Sequence, residues 1–123
     1  METTATPSQS PLTPAVFQIM LALMDQERHG YGIMKEVTAQ TEGEVVLRPG
    51  TLYQAIKRML DMGLIEESDE RPDLKLDDER RRYYKLSGLG HKVVHSEVER
   101  LHKLLQMARA KEKLLTQGQE WAA

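Results

Sequence analysis

Residues 49–63 read PGTLYQAIKRMLDMG, and the pattern within them decides the fold. Pro49 suits a first helical position, because its ring presets φ and the N–H it lacks would find no partner there. Gly63 tolerates the left-handed conformation that ends a helix. Between them Leu52, Ile56, Met59 and Leu60 recur at helical spacing on one stripe. Thr51, Gln54, Lys57, Arg58 and Asp61 occupy the opposite face. The spacing predicts a helix from Pro49 to about Met62, with one side buried and the other polar.

Towards the N-terminus, Met1 to Pro11 is rich in Thr, Ser, Pro and Gln and reads as a mobile tail over 1–12. Thr13-Pro14 supplies a capping oxygen and a first-turn proline. Val16, Phe17, Ile19, Met20, Leu21, Leu23 and Met24 then predict a first helix that is buried nearly all round. After a charged turn from Asp25, a second helix is expected from about Tyr31 to Thr41, with Ile33, Met34 and Val37 inward. Gly43 breaks the pattern, and Val45-Val46-Leu47 reads as a short extended piece.

Towards the C-terminus, Leu64-Ile65 opens an extended segment, and Arg81-Arg82-Tyr83-Tyr84-Lys85-Leu86 reads as its return strand. The pair predicts a β-hairpin with a long polar tip, where Pro72-Asp73 and Asp77-Asp78 favour turns. A final helix is expected after Ser87, ending near Leu115. The fold class is therefore mainly α with a small β-hairpin: three short helices, a hairpin and one long helix.

The chain's 123 residues hold one such domain with an appended helix. Hydrophobic residues at 40% support a folded core, and charged residues at 29% a soluble surface. With no cysteine, disulfides and thiolate metal sites are excluded. No apolar run reaches the roughly 18 residues of a membrane span, no signal sequence opens the chain, and a cytoplasmic protein is expected.

The net charge of −2 conceals a segregation. Arg48 to Arg58 holds Arg48, Lys57 and Arg58 with no acid, and Arg80 to Ser87 holds Arg80, Arg81, Arg82 and Lys85 with none. Glu66 to Glu79 lies between them with eight acidic residues. Affinity for nucleic acid follows the charge that faces the phosphates, not the sum.

A polar, basic third helix directly before a hairpin is where a winged helix-turn-helix domain keeps its reading helix. Taken alone, the same helix also fits an ordinary amphipathic surface helix. On the winged-helix reading, Gln54 is the candidate for an adenine edge, and Lys57 and Arg58 for guanine or phosphate. Thr51 shares their face, and Arg48 is placed against backbone phosphate. Tyr53 is assigned mainly to core packing, its hydroxyl reaching a phosphate. Lys35 on the second helix completes the helical set. Arg80, Arg81 and Arg82 could reach phosphates or the minor groove beside the third helix, or neutralise Asp77, Asp78 and Glu79. The acidic tip is expected to point away from a duplex.

In the last helix Val94, Val98, Leu101, Leu105, Ala108 and Leu115 form a stripe that Leu104 and Met107 broaden and Glu112 interrupts. At about 28 residues it would extend roughly 42 Å, too far for a three-helix body to cover. Packing on the first helix accounts for part of it. The rest predicts a seam with the same helix of a second copy, a homodimer built on Val94, Val98, Leu101, Leu105 and Ala108. His91 and His95 stand four apart, but without a third ligand they read as solvated histidines rather than a metal site. Met20, Met24, Met34, Met59 and Met62 read as core fillers. With no nucleophile–base pair, glycine-rich phosphate loop or metal cluster, no enzyme and no cofactor are expected.

Taken in order, His29-Gly30-Tyr31-Gly32-Ile33, Pro49-Gly50-Thr51-Leu52-Tyr53, Gly63-Leu64-Ile65 and Arg81-Arg82-Tyr83-Tyr84-Lys85-Leu86-Ser87 with Gly90 resemble the PadR family of transcriptional regulators. The resemblance spans about Leu12 to Leu115 and matches the shorter branch, with a single C-terminal helix. It implies a winged helix domain, here over 13–87, with Tyr31 in its DNA-binding helices, and a dimer built through the C-terminal helix, here over 88–116, and the N-terminal helix; Gln117-Gly118 loosens the chain into a flexible end over 117–123. It also implies binding of double-stranded promoter operators, with repression relieved by a small-molecule effector. The stretch from Asp69 to Glu79 is more acidic than a DNA-facing wing. Trp121, the one aromatic after the hairpin, lies past the expected helix end, so no stacking site for a flat effector is evident. The alternative is a winged-helix protein-interaction module that does not bind DNA.

Overall fold

A computed structural model describes residues 12–68 and 82–118. The elements run α1 (Pro14–Ala22), β1 (Arg28–His29), α2 (Gly30–Gln40), α3 (Pro49–Asp61), β2 (Ile65–Ser68), β3 (Tyr83–Leu86) and α4 (Gly88–Gly118). The helix ends follow the local chemistry. Thr13 Oγ1 accepts the Val16 N–H at 3.1 Å and starts α1. Gly63, at φ +75°, ends α3, and the Leu64 N–H donates back to the Met59 carbonyl at 2.9 Å.

The helices, their order and the mainly helical class are as expected; the sheet is larger. Three antiparallel strands lie in the order β1-β3-β2, where a two-stranded hairpin was expected. β1 falls where the sequence suggests only a charged turn, yet Arg28 pairs with Tyr84 and His29 with Tyr83. β2 pairs with β3 in a register that sets Ile65 opposite Leu86. Val45-Val46-Leu47 joins no sheet among the described residues, and the Val45 N–H donates to Thr41 Oγ1 at 3.0 Å. α2 begins at Gly30, one residue early, and α4 runs on to Gly118, past Leu115.

One apolar cluster joins α1, α2, α3, the sheet and the root of α4. Ile19, Met20, Ile33, Val37, Leu52, Met59 and Leu64 are fully buried in it. Met20 and Met59 fill the core and Met34 packs against it. Met24 and Met62 do not: they stand at the ends of their helices and are exposed, contrary to the expectation from their stripes. α4 meets the body closely at Gly90, where a Cβ would overlap the Leu64 carbonyl oxygen.

Val94 corrects the expected dimer seam. It is 1% exposed and lies in the domain's own core, so it is not available to a second copy. Beyond it α4 leaves the body, and every side chain described from Val98 to Gln117 is exposed. Val98, Leu101, Leu105 and Ala108 are thus uncovered within one chain. No helix among the described residues is long and apolar enough to cross a membrane.

Candidate nucleic-acid interface

Burial of Leu52, Ile56 and Met59 fixes the rotation of α3 about its axis. The side left to solvent carries Thr51, Tyr53, Gln54, Lys57 and Arg58, with Asp61 exposed at its C-terminal end and Arg48 exposed just before the helix. Among the described residues none of Arg48, Lys57 and Arg58 is engaged in an ion pair. Cations with no internal partner are free to replace the counterions of a polyphosphate. The start of α1 flanks this arc: Thr13 and Ala15 join Thr51, Gln54 and Arg58 around a hollow of about 160 Å³.

Tyr53 is not a core residue. It is 50% exposed, and its ring lies over the start of α2, where a Cβ on Gly30 would collide with the Tyr53 hydroxyl. The side chain therefore spaces α3 from α2 and keeps one face in water. Gly30 leaves room for this close approach and is not needed there for an unusual φ; a Cβ at this position would push the Tyr53 ring aside.

On α2, Tyr31 is 61% exposed, and Lys35 holds its Nζ 5.6 Å from the Tyr31 ring centroid, a cation–π arrangement. Both border an open groove of about 550 Å³ that His29 and Glu36 also line. Its other cation is committed: Arg28 donates from Nε to the Ala22 carbonyl at 2.8 Å and lies 3.5 Å from Glu36. The sequence pattern missed Arg28, because an arginine in a turn carries no signal that its head is tied to a helix end.

In the wing, Arg82 stands just before β3 and pairs with Glu67 of β2 at 3.1 Å, both side chains exposed. It thus neutralises an acid of the neighbouring strand, while Asp77, Asp78 and Glu79 lie outside the described residues. Exposed pairs of this kind are weak enough to exchange for a phosphate. Beside them Tyr84 is buried, and this burial, reinforced by the Glu67 charge, pushes its hydroxyl above the ordinary tyrosine range. Arg80, Arg81 and the acidic stretch from Asp69 to Glu79 lie outside the described residues, as does Trp121. No group of three metal-ligating side chains occurs among the described residues.

Three short helices, a small sheet and α4 thus set a polar face of α3, whose Lys57 and Arg58 form no ion pair among the described residues, in the same fold as a wing. The model of the transcriptional regulator PadR-like family matches residues 19–96, more than half of the chain. The chain belongs to this family. Solved structures similar to this PadR-like chain include a PadR family transcription regulator from Clostridium difficile, at 27% identity. That match covers 83% of this chain and 94% of the other, with a TM-score of 0.53. RosR of H. salinarum, solved as a complex, is 26% identical over 90% of this chain and 91% of its own, with a TM-score of 0.64. Bacillus subtilis PadR, solved with operator DNA, has the same fold at 20% identity and a TM-score of 0.59. That match covers 72% of this chain but only 48% of the Bacillus protein. No curated protein matches the chain significantly.

Proposed function

We propose that this PadR-like chain is a cytoplasmic homodimer that binds promoter operators in double-stranded DNA and represses transcription. The observation that carries the reading is the arc of α3: its apolar stripe is consumed by the core, leaving Thr51, Gln54, Lys57 and Arg58 exposed, the two cations unpaired among the described residues. Such a face suits a major groove, with Gln54 for a base edge and the cations for guanine or phosphate. Tyr31, Lys35, Arg48 and Tyr53 extend it, and Arg82 flanks it from the wing. The complex of Bacillus subtilis PadR with operator DNA supports the same use of the fold here.

Dimerisation is supported by the uncovered part of α4, where Val98, Leu101 and Leu105 remain between 36% and 49% exposed. A two-fold pair of chains would bring two α3 helices to successive major grooves, about 34 Å apart. Release by a small-molecule effector rests on family membership alone.

Fluorescence anisotropy with DNA from the gene's own upstream region, repeated across salt concentrations, tests the reading. A specific site is expected, with affinity falling steeply as salt rises. The double substitution Lys57→Ala and Arg58→Ala should abolish specific binding and flatten the log–log salt slope by about 2. Gel filtration should leave the dimer unchanged. Unaltered binding would place the reading surface elsewhere. A wild-type chain that ignores DNA at every salt concentration would favour the protein-interaction module.

A further inference from the structure

The segment from Glu27 to Gly32 ties together parts of the molecule that lie far apart in sequence. Glu27 Oε1 accepts a hydrogen bond from Ser68 Oγ of β2 at 2.7 Å. Arg28 is anchored to the end of α1 and to α2, as described above. His29 does two things with one side chain. Its Nδ1 accepts the Gly32 N–H at 2.9 Å and so caps α2. Its ring packs against Tyr83 of β3, centroids 5.1 Å apart and planes inclined at 60°. Its backbone meanwhile pairs with Tyr83 across β1 and β3.

The choice of histidine at an N-cap is informative. Asn, Asp and Ser cap helices well and carry no ring. Phe and Tyr would stack on Tyr83, but neither presents an acceptor that could reach the Gly32 N–H from a side chain of that shape. An imidazole supplies an acceptor nitrogen and an aromatic face at once. We propose that His29 is the positioning residue that locks the wing to the α2–α3 unit, so that the α3 arc and the wing meet one DNA duplex in a fixed relation. His29 itself need not touch DNA. It acts by keeping the binding geometry populated, and apparent affinity scales with that population.

The proposal rests on the DNA-binding reading, so wild-type protein is measured beside His29→Ala, His29→Asn and His29→Phe. Asn restores the cap without the ring, and Phe the ring without the cap. With a dual role, all three variants lose operator affinity, about tenfold for a coupling worth the energy of one helix cap at its stronger end. All three should remain folded by circular dichroism and dimeric by gel filtration. Full recovery in either His29→Asn or His29→Phe, or wild-type affinity in His29→Ala, overturns the proposal.

Amide hydrogen exchange reads the same coupling without DNA. In His29→Ala, protection should fall together at Gly32 and along Tyr83–Leu86. A loss confined to Gly32 would reduce His29 to a cap and overturn the coupling. Should wild-type protein bind no DNA, that joint loss would uphold the lock while the operator reading failed.

Discussion

α3 and α4 are both amphipathic, but they end up with opposite surplus. In α3 the apolar stripe is consumed: Leu52 and Met59 are fully buried and Ile56 is 3% exposed, so what remains outside is polar and basic. In α4 the domain covers only the root. Val93 and Val94 are buried, and one turn later the stripe emerges uncovered. The same amphipathic pattern thus leaves α3 a face for a polyanion and α4 a face for an apolar partner. The root of α4 separates the two regimes.

The root is also where a single atom should do most harm. Gly90→Ala would drive a methyl group into the Leu64 carbonyl oxygen, and backbone atoms cannot swing aside as a side chain can. A loss of more than about 3 kcal/mol is expected in urea denaturation, at the severe end of overpacking. A loss below about 1 kcal/mol would show that α4 can shift on the body, and the boundary between the regimes would blur.

The second test breaks the comparison directly. Met59→Ala on α3 opens a cavity in the core and should cost about 3 kcal/mol at any protein concentration. Leu101→Ala on α4 removes no intrachain packing of that kind. Its cost should instead appear as association: about 1 kcal/mol per copy, or some thirtyfold in the dimer dissociation constant over two copies. Sedimentation across a concentration series checks this. A concentration-independent cost for Leu101→Ala would mean that its stripe is satisfied within one chain.

Much of this division was legible in the sequence, for a physical reason. Helical periodicity is a local signal, and it placed α1, α2, α3 and α4 together with the buried stripe of Leu52, Ile56 and Met59. It does not say how far cover extends along α4, because that depends on where the rest of the body ends, and Val94 falls inside that limit although its stripe points to the seam. Tyr53 was misread for a related reason. It borders the buried stripe, and only the close passage over Gly30 shows that its ring lies on α2, not inside. β1 was missed because two residues are too few to alternate, and their partner Tyr83-Tyr84 lies more than fifty positions away. Histidine is not among the residues that mark an N-cap, so the cap at His29 gave no signal either.

One cation of α4 differs from Lys57 and Arg58 of α3, and this gives the smallest effect to measure. On α4, Arg100 is committed to Glu97 one turn earlier, where the helix has just left the core. That hydrogen bond, more than the accompanying charge attraction, holds the Glu97 carboxyl below the ordinary glutamate range. A carboxylate held low when folded adds stability that is present at neutral pH and lost as pH falls through its folded pKa. The loss at acid pH should therefore be slight, about 2 °C in melting temperature for a pair of this helical type. Arg100→Ala should return the Glu97 titration, followed by carboxyl NMR, upward towards its usual range while leaving operator affinity unchanged. Arg58→Ala should do the reverse, moving no described carboxylate and weakening DNA binding. If Arg100→Ala also cost operator affinity, α4 would be contributing cations to the duplex, and the division of labour between the two helices would fail.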